Sequence, residues 1–150
     1  MDTRRTWRIG VIGCGAWGPN HVRNFSALPN AEVVGAADLQ PDRLARVKAI
    51  APGIATFADA AAMMAAANPD AVVVATPTMT HFEVVQQALA AGKHVLCEKP
   101  LCLTGAEADT LVRLADKRGL RLMVGHVFMF NPGILKLKEL VRTGELGSRI

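Results

Sequence analysis

The chain has 150 residues, of which 51% are hydrophobic and 20% charged, enough for one compact domain with a sizeable core and not for two. Its net charge of +4 comes from basic residues scattered along the sequence, with no Tyr and few other aromatics among them, which argues against nucleic-acid binding. No apolar run approaches the ~20 residues of a membrane span, MDTRRTWRIG lacks the apolar segment of a signal peptide, and Cys14, Cys97 and Cys102 have no paired spacing for disulfides or a metal, so a cytoplasmic, metal-free protein is expected.

Short β-branched runs alternate with helical patterns. WRIGVI reads as a strand, residues 19–28 as a helix, AEVVGAA as a second strand, and a second helix opens near Pro41. A weak strand at 54–57, an alanine-rich helix at 59–67, the strand AVVVA at 71–75 and a helix at 80–91 follow. Thr80 and Glu83 have capping-box spacing, and Gly92 sits where a helix ends in a left-handed residue. HVLCEK is the fifth strand. Thr104 and Glu107 repeat the capping-box signal before an apolar stripe of Ala108, Leu111, Val112 and Ala115, and RLMVGHV is the sixth strand. Asn131-Pro132-Gly133 opens a last amphipathic helix, with Ile134, Leu137, Leu140 and Val141 on one face, and the closing SRI reads as the approach to another strand.

Continuous apolar strands such as VIG, AVVVA and RLMVG imply burial on both faces, as in a parallel sheet covered by helices. The predicted architecture is therefore α/β, a doubly wound and mainly parallel sheet. GCGAWG at 13–18 follows the first strand and opens the first helix, which is the context that gives G-x-G-x-x-G its meaning. Gly13 serves the tight turn, Gly15 lets backbone approach a pyrophosphate, and Gly18 lets the helix pack close on the strand. Ala16 and Trp17 complete the loop, and the helix N-terminus offers free N–H groups and a positive dipole end. Asp38 ends the second strand 20 residues after Gly18, where a carboxylate accepts ribose hydroxyls and repels a 2'-phosphate, so NAD is favoured over NADP. Arg43, five residues on, is the one group nearby that could favour a phosphate instead.

With GCGAWG and Asp38, the segments ATPTMTH at 75–81, AGKHVLCEKPL at 91–101 and VGHVFMFNP at 124–132 resemble the glucose-fructose oxidoreductase / inositol dehydrogenase / rhizopine-catabolism (GFO/IDH/MocA) family. The resemblance implies a Rossmann dinucleotide-binding domain over residues 1–126, then a crossover helix and the start of a second α/β domain, absent from this chain, over 127–150. It implies hydride transfer between nicotinamide and a hydroxyl-bearing carbon of a sugar, nucleotide sugar or polyol. Lys99 matches the family's catalytic lysine, acting as proton acceptor; Glu98 lies by the cofactor and could hold Lys99 in register; Thr76 and Pro77 run past the nicotinamide ribose. His81 either reaches the cofactor or sits in the first turn of its helix, and His126 and Asn131 are candidate substrate contacts. The segment GHVFMFNPGILKLKELVRTGELG looks most similar to family members acting on nucleotide-linked amino sugars. A homo-oligomer is expected from the apolar faces around 128–141. The alternative function is a non-catalytic NAD-binding sensor or regulatory module of the same fold.

Overall fold

The computed structural model describes residues 5–147. Its strands are β1 (Trp7–Ile12), β2 (Ala31–Ala37), β3 (Ala55–Phe57), β4 (Ala71–Val74), β5 (His94–Cys97) and β6 (Leu122–Val124). Its helices are α1 (Gly18–Ser26), α2 (Pro41–Ile50), α3 (Ala60–Ala67), α4 (His81–Ala90), α5 (Gly105–Lys117) and α6 (Pro132–Thr143). The strands form one sheet in the order β3-β2-β1-β4-β5-β6, and every pairing is parallel. The expected doubly wound architecture is thus the one observed. Strand order reverses between β1 and β4, so a crevice opens there beyond the carboxyl ends of the strands, the place where open α/β sheets bind ligands.

The core lies on both faces of the sheet. On one face Val72, Val74, Val95 and Cys97 pack under α3, α4 and α5; on the other Ile9, Val11, Ala36 and Val73 pack under α1 and α2. Gly10 and Gly35 face each other across β1 and β2, and Met63 of α3 fills the hollow, its Sδ lying 2.8 Å from where a Cβ on Gly10 would stand. Met63 is fully buried, a contribution of ~1.5–3 kcal/mol by apolar transfer. Arg8 closes the far end of α3 by donating to the carbonyls of Ala67 and Asn68, groups that a helix C-terminus otherwise leaves unpaired.

Three details depart from the sequence reading. Thr80 does not cap α4: its backbone is already helical at the end of a 3-10 turn (Thr78–Thr80), and its hydroxyl donates back to Pro77 O at 2.8 Å. The Thr104–Glu107 capping box does form, in both directions. The sixth strand is shorter than RLMVGHV because His126 N–H bonds Val124 O and Val127 N–H bonds Gly125 O, turning the chain away from the sheet into a 3-10 turn (Val127–Phe130). Nor is this strand covered on both faces among the described residues, since Met123 remains 49% exposed. The suggested strand at SRI lies outside the described residues.

Candidate functional site

The glycine loop owes its shape to contacts only glycine allows. Gly13 has φ +92° and donates to Ala37 O at 2.8 Å, while a Cβ on it would stand 2.6 Å from the Ala75 carbonyl and the Thr76 nitrogen. A Cβ on Gly18 would stand 2.0 Å from Gly13 O, so loop and helix touch through backbone alone. Gly15 differs: its missing side chain faces open space, with only an Arg43 guanidinium nitrogen nearby at 3.9 Å. Helix α1 begins with Pro19 in its first turn, no acidic residue there and no side-chain cap from Trp17. Its leading N–H groups and positive dipole end are therefore available to an anion at the open side of Gly15.

A cavity of about 660 Å³ adjoins the loop, bounded by Gly13, Gly15, Ala16 and Trp17 on one side, by Asp38 and Arg43 on another, and by Thr76 and Pro77 across from them. The Asp38 side chain is only 6% exposed. One carboxylate oxygen accepts the Cys14 N–H at 2.7 Å and the other accepts the Gln40 N–H at 2.9 Å, with Arg43 3.6 Å away. A carboxylate has about four acceptor sites, so lone pairs remain for a diol. The anion-receptive helix start, the side-chain-free Gly15 and the acid across the cavity fit the pyrophosphate and ribose of a dinucleotide.

Burial pushes the Cys14 thiol up to about 12, with the charge of Asp38 adding to the rise and Arg43 opposing it. Burial does the same to Cys97, also up to about 12, with Glu98 adding. Both are packing residues in their neutral forms.

Beyond Thr76 and Pro77 the sheet edge continues to the end of β5. His81 is 1% exposed, and its ring nitrogens lie 2.8 Å from Thr76 O and 2.7 Å from Pro100 O. It therefore ties together the two loops leaving β4 and β5 and presents no nitrogen to the cavity. The Lys99–Pro100 bond is cis. Lys99 is exposed, and among the described residues no carboxylate pairs with its amine. Glu98, its neighbour, is turned instead to His21 of α1, with Oε1 2.8 Å from Nε2 and both side chains mostly buried. The Glu98–Lys99 pairing considered from sequence is thus replaced by a Glu98–His21 pairing.

His126 is exposed at the exit of β6. Asn131 spends its side-chain oxygen on the start of α6, accepting from the N–H groups of Gly133 and Ile134. Among the described residues no group of three or more His, Cys, Asp or Glu is placed to hold a metal ion, and no helix is long and apolar enough to cross a membrane.

The model of an oxidoreductase family with an NAD-binding Rossmann fold matches residues 7–126. Inositol 2-dehydrogenase 2 of Saccharopolyspora erythraea is 39% identical over 145 residues, covering 95% of this chain and 42% of that protein. The crystal structure of scyllo-inositol dehydrogenase from Lactobacillus casei, with NAD(H) and scyllo-inositol bound, superposes with a TM-score of 0.85 at 28% identity, over 96% of this chain and 43% of that one. A 3-ketoreductase from Actinomadura kijaniata in complex with NADP and TDP-benzene superposes with a TM-score of 0.85 at 33% identity, over 93% and 43% of the respective chains. The chain thus spans well under half the length of the relatives it matches.

Proposed function

The chain belongs to the GFO/IDH/MocA oxidoreductase family, with its NAD-binding Rossmann fold, and from that premise we propose that it is the cofactor-binding part of an NAD-dependent dehydrogenase. The hydride moves between nicotinamide and a hydroxyl-bearing carbon of a sugar, nucleotide sugar or polyol. The observation that carries this reading is the alignment along one sheet edge of the glycine loop and Asp38 with Glu98 and Lys99.

When bound, the dinucleotide supplies the hydride acceptor. Gly13, Gly15 and the start of α1 hold its pyrophosphate, Asp38 accepts from its adenosine ribose, and Thr76 and Pro77 bound the path toward the nicotinamide. Lys99 takes the hydroxyl proton in oxidation and returns it in reduction, general acid–base help worth about 10²–10⁴-fold. Its exposed position suits a group that meets substrate at an open edge. The relatives are more than twice the length of this chain, which supports reading residues 127–150 as the link to a further domain that completes the pocket. The exposed row Val127, Phe128, Met129 and Phe130 supports either such a covering or a homo-oligomer. Inositol dehydrogenases among the relatives favour a free polyol, and the ketoreductase complex with TDP-benzene keeps a nucleotide-linked substrate in play.

The test is calorimetric NADH binding to this chain, followed by turnover of the longer protein with inositols and nucleotide sugars. Binding by the chain, turnover by the longer protein, and loss of turnover in Lys99→Met with NADH affinity kept are the expected results. No nucleotide binding would overturn the proposal, and binding without any turnover would favour the sensor module.

A further inference from the structure

Glu98 is a carboxylate at the carboxyl end of β5, and its surroundings are more specific than a loop acid requires. It follows the last residue of β5, and its N–H bonds Val74 O at 2.9 Å, so its backbone is fixed to the neighbouring strand. Its side chain is 14% exposed. A charged group so far out of water needs a donor close by, and that donor comes from 77 residues away, the Nε2 of His21 at 2.8 Å.

His21 stands on α1 three residues after Gly18, hence on the same helix face as the glycine that packs against the loop. Its ring stacks on Phe25 at 6.5 Å with an interplanar angle of 29°, which limits how it can turn. On the opposite side Gly125 closes in: a Cβ there would lie 3.4 Å from Glu98 Oε2, and its N–H bonds Cys97 O at 2.8 Å. Glu98 is thereby held between the helix of the glycine loop and the exit of β6. Oε1 is engaged by His21, while among the described residues no protein donor takes Oε2.

We infer that His21 is a positioning residue for the nicotinamide end of the cofactor: by holding Oε1 of Glu98 it aims Oε2 at the N–H donors of the nicotinamide carboxamide. This rests on the dinucleotide-binding reading above. It also couples the two ends of the site, because the helix whose N-terminus faces the pyrophosphate is the one that orients the acid at the far end. Without His21, Glu98 is free to swing toward the ammonium of Lys99, the next residue.

The experiment compares NADH with ADP-ribose, which shares every group of the cofactor except nicotinamide, by calorimetric titration of the chain. For His21→Leu the expected result is an NADH affinity about tenfold lower, the size of losing a hydrogen bond to a charged group, with ADP-ribose affinity changed less than twofold. His21→Gln, whose amide N–H has similar reach, recovers most of the loss. His21→Asn, polar but too short to reach Glu98, shows the same selective loss and serves where the leucine variant does not fold. Equal weakening of both ligands would mean that His21 only supports the fold, and unchanged NADH affinity would mean that it does not act through Glu98; either overturns the inference. If the unmodified chain binds ADP-ribose but not NADH, the inference fails alone; if it binds neither, the proposed function fails with it.

Discussion

The carboxylate of Asp38 accepts the main-chain N–H of Cys14 at 2.7 Å, so the acid proposed to meet the ribose also holds the glycine loop in place. Two roles in one side chain make two variants informative. Asp38→Ala leaves the Cys14 N–H without its partner and removes the charge, a cost of about 1–3 kcal/mol. It should lower both thermal stability and NAD affinity and narrow the preference for NAD over NADP. Asp38→Asn keeps an acceptor oxygen for Cys14, so stability should largely return while the cofactor preference stays narrowed. NAD affinity unchanged in Asp38→Ala would remove the ribose assignment.

Gly18 and Gly92 predict opposite kinds of damage. A methyl group on Gly18 meets Gly13 O at 2.0 Å, backbone against backbone, with no flexible side chain to yield. Gly18→Ala should therefore distort the loop and abolish nucleotide binding. Gly92 has φ +74° but nothing within 4 Å of its absent Cβ. Gly92→Ala should cost only the strain of a left-handed alanine, about 1–2 kcal/mol, and leave binding intact. Calorimetry and thermal melts on the two variants separate the cases, and a Gly18→Ala protein with normal affinity would refute the packing account.

The thiols should react in a fixed order. Cys14 and Cys97 are fully buried, and burial above all holds both near 12, so little thiolate exists at pH 8. Cys102 is partly exposed; burial and Glu107 raise its thiol as well, against the opposing Thr104 hydrogen bond. Iodoacetamide followed by peptide mass spectrometry should find Cys102 modified first, with the other two following only on unfolding. Early labelling of Cys14 in the native protein would contradict the loop geometry.

Asp70 gives the fold an acid dependence. Burial works against its charge, but the Arg8 N–H at 2.9 Å and the Arg5 guanidinium outweigh it and hold the carboxyl below its usual value of 3.8. A depressed folded-state value means stability that is fully present above the unfolded-state value and is lost as pH falls through the folded one. Asp70→Asn should thus be less stable than the parent at pH 7, with the gap closing below about pH 4. Denaturant melts at the two pH values measure it, and a gap that does not change with pH would rule out the charge as its source.

Most of the sheet was legible because each strand carries its burial in its own residues: Val72, Val73 and Val74 are apolar in succession because both faces of β4 are covered. The glycine loop was legible for a similar reason, since the demands on Gly13 and Gly18 are local. What sequence could not supply was partnership at long range. His21 is a single histidine inside a helix, and nothing near it signals a carboxylate 77 residues on. His81 could be read either as a site group or as a helix start; its burial between two carbonyls follows from the packing of two strand exits. The apparent Thr80 cap failed because spacing reports side-chain identity but not the backbone angles of the preceding 3-10 turn. Met123 reads as a core residue, yet on β6, the last strand of the sheet, it stands about half exposed.

The central place of β1 also bears on how the protein is made. Ile9 lies beside Val33 on one side and beside Ala71 on the other, so β1 is bordered by one neighbour that follows it closely in sequence and one that comes much later. Until β4 has emerged, the nascent chain carries a short sheet with the apolar edge of β1 unpaired, the kind of surface on which chains associate wrongly during synthesis. Emergence of β4, through Val74, is therefore the point at which the growing polypeptide can first close its sheet around β1.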